Sequence, residues 1–311
     1  MPLYEAYSAT LLALNRVPTL QQRVGNRAWQ DGDAFIAQDG TGFWSRLEAH
    51  GAKPGTRVST SGTNTDLNVW RLQLGMDREL RRGDKQGLLV GGLTASLSRA
   101  RNEVASVYGQ GSIRTQGTSL GATLTWYGPR GFYVDTQVQL SHYRSDLRSN
   151  ELGDLTRDHD GRGTSLSVEL GERFPVSARL TLTPQFQTVY SKVDFDDFRD
   201  PAGAKVSQGQ SDSLVSRWGV ALDYDKAGER GRHLYAIANV SYDWRHGTRV
   251  DVSGTPLFRE QSRLWGELGA GGTYSWKQGR HAVYFEASGQ RTLQSPGRTA
   301  FNATLGYRSS W

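Results

Sequence analysis

Few stretches of this 311-residue chain hold residue types at spacings that chemistry could use. Gly117-Thr118-Ser119-Leu120-Gly121 spells a serine-nucleophile elbow, but that motif needs a strand, a sharp turn and a helix. Here it opens an alternating stretch in which Leu120 belongs to the apolar face. Asp158-His159-Asp160 could hold a metal ion; its place in a long polar connection favours a solvated loop instead. His142 is the best-placed histidine for a Ser-His-Asn set, yet its phase puts it on the apolar side at a strand end. Arg82-Gly83-Asp84 spells an integrin-binding tripeptide within a short turn. Gly269-Ala270-Gly271-Gly272 lacks the Lys-Ser/Thr and the helix that a phosphate loop requires. The chain has no cysteine, which removes thiol catalysis, disulfides and thiolate-bound metals. No catalytic residue, metal site or cofactor is predicted.

The elements that would position these residues all have one pattern. In the last stretch, residues 299–311, Phe301, Ala303, Leu305, Tyr307, Ser309 and Trp311 alternate with Asn302, Thr304, Gly306, Arg308 and Ser310. Successive side chains of a strand point to opposite faces, so this is one apolar and one polar face. Twelve such segments follow Gly42. The first opposes Phe43, Ser45, Leu47 and Ala49 to Trp44, Arg46, Glu48 and His50; the second opposes Trp70, Leu72, Leu74 and Met76 to Arg71, Gln73, Gly75 and Asp77. The connections alternate as well. Those at 81–85, 128–131, 174–178, 226–232 and 277–280 are short; those at 51–66, 99–113, 144–163, 192–212 and 246–262 are long, and only the final one, 293–298, breaks the long side's habit. Short turns on one side and long loops on the other are the signature of an outer-membrane barrel. Trp126, Trp244, Tyr274, Trp276 and Trp311 fall near strand ends, where an interfacial belt needs them.

Composition agrees. Hydrophobic content is 36% and mean hydropathy −0.58, low for a large aliphatic core, yet there are 9 Trp, 13 Tyr and 37 Gly. Half-apolar strands with aromatic ends and tight turns give this balance. No apolar run approaches the roughly 18 residues of a spanning helix, whereas a barrel strand needs only about 9–11. The net charge of +6 is dispersed, without the basic block that would predict nucleic-acid binding. The start, Met1-Pro2-Leu3-Tyr4-Glu5, is no secretory signal, so the chain is either cytoplasmic or the downstream part of a longer precursor.

The fold class predicted is therefore all-β: a 12-stranded antiparallel transmembrane barrel, residues 39–311, with residues 1–38 as a pore helix and linker. Leu11, Leu12, Leu14, Val17, Leu20 and Val24 are spaced for one side of a helix, with Arg16, Arg23 and Arg27 off it. Pro18 should kink or split it near Val17. Periodicity alone suits an ordinary amphipathic helix, but a helix about 10–12 Å across also fits inside such a barrel. Its arginines would then meet polar inward faces carrying Arg46, Glu48, Arg71, Asp77, Asp135, Glu169, Arg217, Asp223, Asp243, Arg245, Glu267, Glu286 and Arg308.

The leading helical segment, Phe43-Trp44-Ser45-Arg46 opening the first of twelve strands, and a last strand ending on Trp311 resemble the C-terminal translocator domain of type Va autotransporters. The resemblance spans nearly the whole chain and is similar to the Bordetella BrkA and pertactin-like barrels. It implies a monomer in the bacterial outer membrane, among lipid and lipopolysaccharide, that exports and anchors an N-terminal passenger by type V secretion, often for virulence. It implies that Phe301, Leu305, Tyr307 and Trp311 form the signal read by the barrel-assembly machinery, and that the leading segment is a tether left in the pore. Relatives that cut this tether do so between paired asparagines; Asn15-Arg16 and Asn26-Arg27 do not match, which puts self-cleavage in doubt. A porin or solute channel and an outer-membrane phospholipase or protease stay as alternatives, the first leaving the helix without a purpose, the second lacking a convincing nucleophile or acid pair.

Overall fold

The computed structural model describes residues 2–31, 34–37, 40–53, 56–83, 87–225, 231–294 and 298–311. Twelve antiparallel strands close into one barrel. They are β1 (Gly42–Ala52), β2 (Asn64–Gly83), β3 (Gly87–Ser106), β4 (Gly109–Tyr127), β5 (Tyr133–Ser149) and β6 (Gly153–Gly171), then β7 (Leu180–Phe195), β8 (Asp212–Asp225), β9 (Arg232–Asp243), β10 (Leu264–Trp276), β11 (His281–Thr292) and β12 (Thr299–Ser310). Each strand pairs with the next, and β12 closes on β1 through Ala300↔Ala52 to Ser310↔Gly42. Closure leaves no strand edge facing hydrocarbon, where an unpaired backbone group costs several kcal/mol.

The outward face is the predicted apolar one: Leu72, Leu93, Leu120, Leu140, Leu268 and Leu305 are all exposed, and the polar alternates point in. Trp44 is fully buried in the lumen, its Nε1 donating to Asp77 Oδ1 at 3.2 Å. Its ring lies over Gly75 of β2, where an added Cβ would meet it at 2.2 Å. Tyr284 covers Gly306 in the same way at 2.1 Å. These glycines let large inward rings lie flat along the wall.

The wall is uneven. At about 3.3 Å per residue and a tilt near 40°, the 20 residues of β2 rise about 50 Å, against a hydrocarbon core of roughly 30 Å. The 12 residues of β11 rise only about 30 Å. The long loops expected at 99–113 and 144–163 are accordingly corrected: both are mostly strand, with turns only near 107–108 and 150–152. Alternation continues through them, but its phase inverts, so that Ala100, Val104, Ile113, Leu147 and Leu155 point inward and charges point out. The remaining long connections do form a structure of their own. Segments Phe198–Arg199, Lys205–Gln208, Thr248–Val252, Thr255–Gln261 and Thr56–Ser59 pair into a five-stranded sheet at the same end.

The N-terminal segment is split as Pro18 predicted, into α1 (Pro2–Leu14) and α2 (Leu20–Val24). Pro2 suits a first helical position, and Thr19 caps α2 with Gln22 in a reciprocal capping box. Both helices lie inside the lumen. Tyr4, Tyr7, Leu11 and Leu14 pack on the inward side of the tall wall together with Val193 and Val250, so α1 is buried nearly all round. No helix among the described residues is long and apolar enough to cross a membrane. A two-stranded hairpin, Ala28–Asp31 with Ala34–Ala37, joins α2 to β1.

Candidate functional site: a helical segment threaded through the barrel

The lumen is the one place where the polar faces of all strands converge, and α1 and α2 run along it. Leu3 lies against Gly111 at the tall rim, while Arg27 reaches Asp77 near the short-turn end. The segment therefore threads from one mouth toward the other.

Near the short-turn end its cations meet carboxylates. Arg23 Nη2 lies 2.5 Å from Asp135 Oδ1 and 3.0 Å from Thr125 Oγ1, and Arg27 Nη2 lies 2.6 Å from Asp77 Oδ2. Asp135 also accepts from Thr125 Oγ1 at 2.6 Å and Gln137 Nε2 at 3.0 Å, so the buried charge is both paired and solvated by protein. Arg16 lies instead beside His50, 3.0 Å from its Nδ1.

A second set of contacts runs the other way, from the wall to the helix backbone. Arg71 donates to the carbonyls of Leu14, the last residue of α1, and of Arg16 (2.7 Å). Arg308 donates to those of Val24 (2.8 Å) and Asn26 (3.1 Å) at the end of α2. At the start of α2 the polarity is reversed, and Glu169 Oε2 accepts from Leu20 N at 3.1 Å. Helix C-termini present unsatisfied carbonyls with partial negative charge and N-termini present bare N–H groups, so cations and an anion are placed where each is stabilised. The break at Pro18 is held too: Gln137 and Gln187 donate to its carbonyl at 2.8 and 3.3 Å. Asn15 is clamped by Tyr143 and Ser141 on its Oδ1, and by Ser191 and the Thr164 carbonyl on its Nδ2. The glutamines did not stand out in sequence, and Asn15 did so only as a mismatch to a paired-asparagine cleavage site, because a polar inward residue looks the same whether it faces water or a helix.

The other inward charges are placed as follows. Arg46 donates to Gln73 and Glu48, and Glu48 lies between Arg46 (2.9 Å) and Arg71 (3.4 Å). Arg217 links Glu169 (3.5 Å), Gln187 and Asn239. Glu286 accepts from Gln22 of α2 at 2.6 Å and from Tyr235 at 2.8 Å, while Glu267 accepts from Asn239 and Ser288. Asp223 accepts from Thr183 and lies 3.1 Å from His233. Asp243 is half-buried at the end of β9; Arg245 lies beyond that strand, 46% exposed, against Asp212. On the last strand Phe301, Leu305 and Trp311 face outward, and Tyr307 hydrogen-bonds His281 Nδ1 at 2.8 Å.

At the tall mouth the five-stranded sheet covers α1. Glu5 is buried and accepts from Ser61 N (3.0 Å), from Thr63 Oγ1 (3.2 Å) and from the hydroxyls of Ser59 and Ser61. Arg259 is buried beside this cluster; burial draws its guanidinium down to about 10, with Glu5 opposing the shift. Tyr4 donates to Asp200 at 2.7 Å. His159 is corrected here: it is only 9% exposed, on β6, and packs among Tyr7, Phe195 and Phe198. No metal-holding group of His, Asp and Glu exists among the described residues. His142 is half exposed at the strand face, 3.3 Å from Asp160; Ser119 points inward to Ser141; Asp84 of the tripeptide lies outside the described residues.

The helices do not fill the lumen evenly. Beside α1, toward β8–β12, lies a crevice of about 270 Å³ bordered by Ala9, Ala13, Arg16, Ser241 and Glu267. Below it a second space of about 170 Å³ reaches Gln21 and Gln22. A helix-shaped plug with a wet flank has the geometry of a seated segment rather than of an open channel.

Comparison with known proteins agrees with this geometry. The family model for the autotransporter beta-domain matches residues 43–288. The chain is 36% identical to the adhesin BmaC autotransporter of Brucella suis over its whole length, which is 10% of that protein. Among solved structures it is similar to the transport unit of the autotransporter AIDA-I from Escherichia coli, with TM-score 0.82 at 18% identity, covering 100% of this chain and 99% of that one. It is also similar to the beta domain of the Bordetella autotransporter BrkA, with TM-score 0.65 at 20% identity, covering 88% and 100%. The chain belongs to the autotransporter beta-domain family of bacterial outer-membrane barrels.

Proposed function

We propose that residues 39–311 carry a passenger joined to their N-terminal side across the outer membrane, and that residues 1–38 are its tether, left in the lumen after export. The observation that carries this is the capture of helix-end carbonyls by Arg71 and Arg308, which lie on barrel strands two neighbours apart through β1. A channel for solutes has no need to hold a peptide backbone along its axis. In this reading Arg16, Arg23 and Arg27 seat the segment and the inward charges receive it; the step performed is transport and anchoring rather than catalysis. The barrel works as a monomer, its outward face contacts outer-membrane lipid and lipopolysaccharide, and Phe301, Leu305, Tyr307 and Trp311 present the last strand to the assembly machinery. In this reading the preceding chain lies outside the cell, which the direction of the thread supports, α1 at the tall mouth and α2 at the short-turn end.

Single-channel conductance in planar bilayers tests the plug. Deletion of residues 1–38 is expected to turn a small, flickering conductance into a large, steady one. Equal conductance with and without the segment would place the helices outside the lumen in the membrane and favour a porin.

A further inference from the structure

The two helices meet the lumen differently. On α1 and the turn after it, Ala9, Leu12, Ala13, Arg16 and Val17 are only half-buried, at the three- and four-residue spacing of one helix face. That face looks onto the crevice of about 270 Å³, and the half-buried stripe continues through Gln21 and Gln22 onto the space of about 170 Å³ below it. The two spaces share Leu12, Arg16, Ser213, Ser241 and Glu267 as borders, so they form one cleft. Arg245, an exposed residue, stands at its tall-side rim. From Arg23 to Arg27 every residue is buried, and the wet stripe has ended.

Gln21 and Gln185 border the lower end of the cleft. Past them the space between helix and wall shrinks to about 10 Å³, among Leu20, Gly25, Arg27, Tyr127 and Tyr133. A water needs roughly 10–15 Å³ and polar partners as well. Around this pinch Leu20 and Val24 of α2 pack with Trp44, Leu88, Val90, Tyr127 and Tyr133 of the wall into a buried apolar collar. The Arg23–Asp135 and Arg27–Asp77 pairs hold α2 at this level. Hydrophobic constrictions stop ions by dewetting, and this one is at the size of a single water. α1 is different: its apolar contacts lie toward the tall wall, and its other flank faces the cleft.

We propose that the barrel is sealed at the α2 collar alone, and that the cleft beside α1 is a blind vestibule, open at the tall mouth, which admits small hydrophilic solutes as far as Gln21 and Gln22. α1 anchors the segment, and α2 is the permeability barrier. This deepens the tether reading above and rests on it.

The test counts labels on single molecules. The chain has no cysteine, so introduced thiols report alone. Leu152 is exposed at the tall rim, Ser177 is exposed in a short-turn connection, and Ser241 borders the cleft. Vesicles carrying the folded full chain are treated from outside with a small, membrane-impermeant sulfonated thiol reagent, and labels per chain are read by intact mass. Heat-modifiable migration verifies that each variant is folded. Only one end of each barrel faces the reagent. L152C/S241C is therefore expected to carry two labels or none, and S177C/S241C a single label, whichever way the barrel inserts. Adding L20A/V24A, which hollows the collar and keeps both ion pairs, is expected to bring S177C/S241C to two labels. A single label on L152C/S241C, two on S177C/S241C with the collar intact, or a single label on S177C/S241C with the collar hollowed would each overturn the proposal. If two labels appear on S177C/S241C while deletion of residues 1–38 still raises conductance, the collar falls and the tether reading stands; if that deletion changes nothing, both fall.

Discussion

Replacing Asp135 by alanine isolates the contact that seats α2. Its carboxylate is fully buried and faces Arg23, whose side chain is 2% exposed, at 2.5 Å. The substitution leaves that guanidinium with Thr125 Oγ1 as its remaining polar contact from the wall. Removing one partner of a buried pair costs about 3–5 kcal/mol, mostly the cost of the stranded charge. At about 1.4 kcal/mol per factor of ten, the ratio of seated to unseated helix should fall by about two to three and a half powers of ten. The barrel strands themselves lose only the Thr125 and Gln137 hydrogen bonds to Asp135, so folding should survive, which heat-modifiable migration checks. Single-channel recording then reports open time. D135A should open far more often than the unaltered chain, and the double variant R23M/D135A should close again, since it removes the stranded charge along with its partner. If D135A conducts like the unaltered chain, or if the two changes simply add, the pair does not hold the segment.

Two further outcomes follow from the geometry. Gly306→Ala should push the Tyr284 ring, 2.1 Å from the new Cβ, away from the wall and break its hydrogen bond to the Arg23 carbonyl; about 1–3 kcal/mol of barrel stability is lost, read as a lower temperature of heat modification, whereas in a Y284A background the same glycine substitution should cost little. Glu5→Ala should strip the acceptor from Ser59, Ser61 and Thr63, at about 1.5–3 kcal/mol for hydrogen bonds to a charged group, and speed hydrogen exchange in α1 without changing exchange in β7–β12.

Much of this protein was legible in its sequence because a membrane barrel writes its fold locally. Alternation in β12, from Phe301 to Trp311, fixes which side chains meet lipid without reference to any other strand, since lipid tolerates no charge and the pleat has a period of two. Strand number, turn sides and the split at Pro18 follow from the same short-range rules, and the C-terminal resemblance rested on them. Three things were decided only by tertiary structure. The strands continue past the membrane because α1 offers Ala100, Val104 and Ile113 an apolar partner, and that partner is some ninety residues away in sequence. His159 is buried for the same reason: rings from α1 and from residues 195–198 close around it. Above all, Arg71 and Arg308 bind main-chain carbonyls, Arg71 alongside its contact with Glu48. Every residue carries a carbonyl, so no side-chain pattern can announce which one an arginine will find; only the placement of two helix ends within reach of the wall does that.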